Sequence, residues 1–232
     1  MQTRLKFAGI ALTVALLAGC AAGGGTQGGS AGAVAPQFSG FLADYSKLKP
    51  VDGVDGTLRY IDTSLNLRPY TKVMIDPVQI FTNPNPEYKG LQPDALKRMS
   101  DAFQSAFLGA LVGGYQVVNK PGPDVMRVRL AITGIQPTRP DLGATDFIPI
   151  KALFNVARSA AGEAPQVAEI SAEIEVLDPN GKVIGAAVST RKGDKTVAQG
   201  EKITWKDLQA IVDVWAKNMR QHLDQARGYA AK

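Results

Sequence analysis

The feature that most constrains this chain is its only cysteine, Cys20, which follows a short apolar stretch near the amino terminus. Two basic residues precede that stretch, and Leu17, Ala18 and Gly19 lie directly before the cysteine. A basic start, an apolar run too short to span a bilayer and small residues before a cut are the three regions of a secretory signal. Residues 1–19 are therefore predicted to be a signal peptide that takes no part in the fold.

Cleavage at this point would place Cys20 at a new amino terminus, and the pattern is similar to a bacterial lipobox. In that pattern the thiol receives a diacylglyceryl group and the amino group receives an acyl chain. At about 0.8 kcal/mol per buried methylene, three chains hold a protein at a membrane effectively permanently. Ala21 is not the aspartate that retains many such proteins in the inner membrane. We therefore expect a lipid anchor in the outer membrane, with the protein facing the periplasm.

The rest of the chain divides into a tether and one domain. Residues 20–37 are mostly glycine, alanine and small polar residues, a composition that buries too little apolar surface to become ordered. Residues 38–232 are long enough for one domain with a sizeable core. No second linker and no internal repeat interrupts them.

Charge and composition exclude several kinds of partner. The chain carries 26 basic and 21 acidic residues, a formal charge of +5, and its basic residues are interspersed with acids. A dense basic tract for nucleic acid is absent, so we expect no nucleic-acid partner. One cysteine and one histidine, His222, leave no cysteine cluster or histidine set for a metal. We expect no metal and no cofactor other than the covalent lipid on Cys20.

Two segments have the three- and four-residue apolar spacing of amphipathic helices. The first begins at Pro93 and stops at Gly113, and the second begins with Thr204, followed three residues later by Asp207 as a capping pair. Their apolar stripes are Leu96, Met99, Phe103, Ala106, Phe107, Ala110 and Leu111 in the first helix and Leu208, Ile211, Val212, Trp215, Met219 and Leu223 in the second. Both stripes are predicted to pack in the core rather than to line a ligand site.

Strand patterns occupy residues 71–81, 115–119, 125–135, 169–177 and 182–191. Pro77 has no amide hydrogen, so it must lie at an edge, a bulge or a strand end. The Asp-Pro-Asn-Gly sequence at 178–181 predicts a tight hairpin. The order of elements predicts an α+β fold of a single domain, with a mainly antiparallel sheet and helices packed on one face.

Two of these strands alternate apolar and charged residues. Arg127 and Arg129 share one face of the first, and Glu169, Glu173 and Glu175 share one face of the second. We predict that the strands are neighbours and that arginines and glutamates pair on the solvent face, Arg127 with Glu175 among them. The alternation favours a polar strand face over a glycosidase pair, which needs two carboxyl groups in different environments.

Asp76 is the acid most worth testing as a binding residue, because it lies inside an apolar strand. The ordinary alternative is an aspartate satisfied at a bulge or turn. His222 lies near the end of the last helix, where a histidine more often contacts the helix dipole or solvent than a substrate. No set of residues predicts a catalytic site.

Residues 141–165 allow two interpretations. One is an ordinary packed connection, and the other is a mobile lid or an element that touches the membrane, since long loops in domains of this size often have a function. For the second interpretation, the candidate binding residues are Phe147, Ile150, Leu153 and Phe154.

Residues spread over most of the folded part resemble one family. They are Ser39, Gly40, Phe41, Leu42, Asp44, Tyr45, Ser46, Leu48, Tyr60, Ile61, Asp62, Tyr70, the segments 73–78, 160–162 and 173–178, and the following strand up to Arg191. The segments resemble a bacterial lipoprotein family known as domain of unknown function 3313. The resemblance implies an outer-membrane-associated lipoprotein without an assigned activity, and it carries over no functional residues.

Two functions remain open. The first is a noncatalytic adaptor or accessory subunit that binds a protein partner in the cell envelope, which fits the tether and the lack of catalytic groups. The alternative is a carrier or sensor of a lipid or other apolar ligand, with residues 141–165 as its lid. That alternative requires a pocket of several hundred Å³, which only a structure reveals.

Overall fold

The computed structural model describes residues 38–81, 93–138, 166–198 and 201–228. These residues form eight strands and two helices. In chain order they are β1 (Lys49–Val51), β2 (Val54–Ile61), β3 (Lys72–Ile75), β4 (Gln79–Ile80), α1 (Pro93–Leu111), β5 (Gln116–Val117), β6 (Val125–Thr138), β7 (Gln166–Leu177), β8 (Val183–Val197) and α2 (Trp205–Ala226).

The strands form one sheet in the order β1-β2-β8-β7-β6-β3-β5, and β4 also pairs with β6. The four pairings from β1 to β6 along this order are antiparallel. The pairings of β3 with β5 and of β6 with β3 and β4 are parallel. The predicted α+β fold with a mainly antiparallel sheet is confirmed. The hairpin of β1 and β2, which the strand patterns did not predict, adds two strands beside β8.

The segment predicted as one strand over 71–81 is two short strands. Ile75 lies opposite Val128 and Gln79 lies opposite Ala131. The segment from β3 to β4 therefore contains one residue more than the part of β6 that it faces. Pro77 lies in this break, where its missing amide hydrogen costs no ladder hydrogen bond. The prediction that Pro77 ends or interrupts the strand is confirmed.

The hairpin between β7 and β8 forms as predicted. The Asp178 carboxylate accepts hydrogen bonds from the amides of Asn180 and Lys182, both at 2.8 Å. Gly181 has a φ of +81°, a conformation that favours glycine. The local sequence therefore determines this turn without help from the rest of the domain.

Both helices pack on one face of the sheet, as predicted. The buried residues of α1 are Met99, Phe103, Phe107 and Leu111, and those of α2 are Leu208, Ile211, Val212, Ala216, Met219 and Leu223. They form one core with the alternating apolar residues of β6 and β7. Each large side chain buried in this way contributes about 1.5 to 3 kcal/mol.

The opposite face of the sheet is covered by residues 38–48, which we name the N-terminal strap. Phe41 and Leu42 of the strap are 5% and 4% exposed and pack on Ala131, Ala186 and Val188. The residues of β7 that point toward this face lose contact with water as a result.

The predicted solvent face of β7 is therefore wrong. Glu169, Glu173 and Glu175 are only 3%, 1% and 1% exposed. Charged groups are buried at such low exposure when other groups supply hydrogen bonds or opposite charge. The strap supplies donors to Glu173 and Glu175, and Gln136 of β6 donates to Glu169. No strand pattern indicates the packing of the strap.

Cys20 and the signal residues Leu17, Ala18 and Gly19 lie outside the described residues, as do Phe147, Ile150, Leu153 and Phe154. The choice between a lid and a packed connection for residues 141–165 therefore stays open. Of the two described helices, neither is both long enough and apolar enough to span a membrane.

Candidate functional site

An apolar cavity of about 170 Å³ lies between α2, the second half of α1 and the helix-side face of the sheet. Leu130 of β6 and Ile174 of β7 line it from the sheet, and Phe103, Phe107 and Met219 line it from the helices. Ile174 is only half-buried although β7 is a central strand. Its exposed part lines the cavity.

Small residues of β8 create this space. Gly185, Ala187 and Ser189 are alternate residues of β8, so they point to the same face, toward α2. Protein interiors are otherwise packed as densely as organic crystals. A glycine, an alanine and a serine under a helix leave volume that larger side chains would fill.

Arg59 and His222 meet at the polar part of the lining. The Arg59 guanidinium lies 2.5 Å from Nε2 of His222, and Nδ1 of the same ring lies 3.3 Å from the Gln225 side-chain oxygen. An arginine donates and does not accept, so Nε2 must accept and Nδ1 must carry the proton. Burial, and then the neighbouring Arg59 charge, lowers the pKa of His222 below its ordinary value. His222 is therefore held neutral beside the cavity.

A second polar group joins β2, β8 and α2. The Trp215 indole donates to the Ser189 hydroxyl at 3.2 Å, and the Thr57 hydroxyl lies 2.7 Å from the same oxygen. An indole N–H is only a donor, so it needs such an acceptor when partly buried. These contacts hold α2 at one end of the cavity.

Arg191 also lines the cavity, one alternate position beyond Ser189. Its Nε is buried and has no hydrogen-bond partner among the described residues. Within the same described ranges, no carboxylate forms an ion pair with Arg59 or Arg191. Glu173 lies along the lining, but its carboxylate is bound on the strap side of the sheet. The charged edge of the cavity is thus positive.

The strap side contains a further polar cluster, built around the two buried carboxylates of Glu173 and Glu175. The amide of Ser39 and the hydroxyl of Tyr45 donate to the two Glu173 carboxylate oxygens at 2.8 and 2.6 Å. Glu175 accepts from the amide of Ala43 at 3.4 Å and from the Arg129 guanidinium. These contacts satisfy both buried carboxylates.

Tyr45 connects the strap to this cluster. Its hydroxyl donates to Glu173 and accepts hydrogen bonds from the amides of Gly40 and Leu42 at 2.8 and 3.2 Å. Burial and the bond to Glu173 raise the pKa of Tyr45 above its ordinary value. Glu173 and Glu175 therefore hold the strap on the sheet, which is a structural role.

Of the polar residues considered from the sequence and described by the structure, His222 and Glu173 line the cavity, and the Glu173 carboxylate is bound on the strap side. The apolar stripes of both helices pack in the core as predicted, and part of them also lines the cavity: Phe103, Phe107, Trp215, Met219 and Leu223. Asp76 forms a bidentate ion pair with Arg127 at 2.9 and 2.7 Å and lies at the break between β3 and β4. The part of the chain that the structure describes contains no group of three histidine, cysteine or acidic residues placed to bind a metal. Sequence reasoning missed Arg59 and Arg191. The pattern that could have indicated a site near them is the series of small alternate residues in β8, which are Gly185, Ala187 and Ser189.

Comparison with known proteins finds a lipoprotein among the relatives of this chain. The chain is 26% identical over 191 residues to the uncharacterised lipoprotein YdcL of Escherichia coli strain K12, covering 81% of each chain. Among solved structures, the PelC dodecamer of Paraburkholderia phytofirmans matches with 10% identity and a TM-score of 0.35, covering 75% of this chain and 98% of that one. Lipoprotein GNA1162 of Neisseria meningitidis matches with 9% identity and a TM-score of 0.34, covering 65% and 99%.

The family comparison covers a similar share of the chain. The sequence model of a family described as protein of unknown function, DUF3313, matches residues 37–219. The match includes the strap, the whole sheet and most of α2. The residues that resembled this family in the sequence lie within the longer segment that its model matches. This chain belongs to the DUF3313 family.

Proposed function

We propose that this protein is a lipoprotein of the cell envelope, anchored through Cys20, whose domain binds a small apolar molecule or the apolar end of a larger one. The observation that carries the proposal is the cavity of about 170 Å³ against α2. This observation favours the carrier or sensor over the protein-binding adaptor, for which the sequence offered mainly the lack of catalytic groups.

The size of the cavity limits what enters it. A cavity of about 150 Å³ lined by leucine, isoleucine and phenylalanine accommodates benzene, and this one is about 170 Å³. Complete ligand pockets for drug-sized molecules measure about 300 to 1,000 Å³. The buried part of the ligand is therefore about one aromatic ring or a short acyl chain, and the remainder of a larger ligand lies outside.

The anchor and the location rest on the amino-terminal sequence. The lipobox-like run before Cys20 and the lipoprotein relative support membrane attachment. Ala21 supports the outer membrane, with the domain in the periplasm. The tether of residues 20–37 would allow the domain to reach molecules near the membrane surface.

A noncatalytic role is part of the proposal. The carboxylates of Glu173 and Glu175 have hydrogen-bond partners in the strap and in Arg129. A general acid or base must reach the proton of a substrate. Carboxylates used to hold the strap support binding rather than chemistry.

Photolabelling tests the proposal. The full-length protein in lipid nanodiscs is exposed to octanol that carries a diazirine group, and labelled peptides are identified by mass spectrometry. We expect labels in β8 and α2. Ala187→Phe fills the cavity and is expected to reduce labelling at least fivefold, because Ala187 is half-buried beneath it.

Ala210→Phe is the matched control, since Ala210 is an exposed residue of α2. It adds the same ring on the outer side of the helix and should leave labelling unchanged. Equal labelling of the wild type and Ala187→Phe, or labels confined to other peptides, would overturn the proposed function.

A further inference from the structure

The edge of the cavity carries positive charge that the described residues do not neutralise. Arg59 lies opposite Ala187 in the pairing of β2 with β8, and Thr57 lies opposite Ser189. Arg191 follows on the same face of β8, two residues beyond Ser189. A row of polar groups with an arginine at each end therefore runs along one side of an otherwise apolar space.

The partner of Arg59 is unusual for a half-buried guanidinium. Within the described ranges, the Arg59 side chain makes one hydrogen bond, and its acceptor is the neutral ring of His222. A guanidinium has five donors in a fixed fork that matches a carboxylate or phosphate. A neutral imidazole occupies one donor and leaves the positive charge uncompensated, so an anion is the group that this edge attracts.

Arg191 adds an independent observation. Its Nε is buried without a hydrogen-bond partner among the residues that the structure describes. Buried polar groups in folded proteins nearly always have a partner, such as a protein group, an ordered water or a bound ion. An oxygen of a bound anion would satisfy this donor.

Resting on the proposed function, we infer that the ligand is an anionic amphiphile, whose carboxylate or phosphate head lies on the edge between Arg59 and Arg191, attracted by both charges, while its apolar end enters the cavity. The head takes donors of Arg59 that the His222 ring leaves open. The apolar end contacts Ile174 and the phenylalanines of α1. Neither part alone uses the whole site.

A series of ligands with one chain and different heads tests the inference. The photoactivatable octanol is bound to the full-length protein in nanodiscs and displaced with octanoate, octyl phosphate, octanol or octylamine. We expect octanoate or octyl phosphate to displace it at a concentration at least tenfold lower than octanol does, and octylamine to be the weakest. The order of octanoate and octyl phosphate identifies which anionic head the site prefers.

Variants assign the effect to the two arginines. Arg59→Gln and Arg191→Gln are each expected to reduce the advantage of octanoate over octanol at least threefold. Octanol labelling of β8 and α2 is measured in each variant as well, so that the advantage of octanoate is always compared with octanol in the same variant. Arg127→Gln is the control, because Arg127 pairs with Asp76 away from the cavity.

The possible failures are distinguishable. If octanol labels β8 and α2 but octanoate has no advantage, or keeps it in both arginine variants, the anionic head is wrong and the apolar site stands. If acetate or inorganic phosphate displaces the probe as well as octanoate does, the amphiphile is wrong. If octanol labels the wild type and Ala187→Phe equally, the proposed function itself fails.

Discussion

Arg129 of β6 lies directly opposite Glu175 of β7, and its guanidinium contacts both the Glu175 carboxylate and the ring of Phe41, 4.8 Å from the ring centroid. The strands are neighbours, as the sequence predicts. The predicted pairing of Arg127 with Glu175 is wrong, because the register places Leu177 opposite Arg127. Arg129 therefore pairs with Glu175 under the strap, and Arg127 pairs with Asp76.

The two arginines should differ in their contribution to stability. The Glu175 side chain is 2% exposed, so Arg129→Met leaves a buried carboxylate without its cation. We expect a loss of about 3 kcal/mol or more in the free energy of unfolding by urea. Arg127→Met breaks an ion pair whose arginine is 49% exposed and should cost less than about 1 kcal/mol. Equal costs for the two variants would contradict the assignment.

Tyr45→Phe tests how the strap is held. The change removes one donor to Glu173 and one acceptor for two strap amides. Unpartnered groups of this kind cost about 1 to 3 kcal/mol when buried. Tyr60→Phe is the control, since the structure gives its hydroxyl no hydrogen bond to a described residue. We expect earlier proteolysis of the strap in Tyr45→Phe only; similar cleavage of both variants would refute its role.

Two glycines near the end of α1 should respond to alanine with opposite signs. A methyl group on Gly114 would lie 2.0 Å from the Arg220 guanidinium, which donates to the carbonyls of Ala110 and Val112. Displacing it should destabilise the domain by about 1 to 2 kcal/mol. Gly109 lies within α1 with open space around it, and alanine there should stabilise by about 0.5 to 1 kcal/mol. Thermal unfolding of the two variants checks both signs.

His222 should make stability depend on pH. Its pKa is lowered from 6.5 by burial and by Arg59, so below 6.5 the unfolded chain binds the proton more readily than the folded domain. The free energy of unfolding is therefore complete above that pH and falls as the pH decreases toward the lower folded pKa. His222→Gln keeps an acceptor for Arg59, and its urea midpoint should fall less between about pH 7.5 and about pH 5.5. An equal fall in the wild type and the variant would disprove this contribution.

Local patterns in the sequence were sufficient to predict most of the helices and strands. The apolar spacing from Pro93 predicted α1, the capping pair Thr204 and Asp207 predicted the start of α2, and the turn at 178–181 predicted the hairpin. These features depend on residues close together in the chain. The cavity had no comparable signal, because it results from the lack of large side chains on the face of β8 beneath α2.

The sequence by itself determined the alternation of β7, with one apolar and one charged face, since side chains of a strand point alternately to its two sides. It also determined the predicted anchor at Cys20, which depends on neighbouring residues only. Tertiary structure alone decided that the charged face of β7 is buried and that Arg59 meets His222. The partners in these contacts are 128 to 163 residues apart, and such contacts depend on the packing of the whole domain, which local periodicity does not encode.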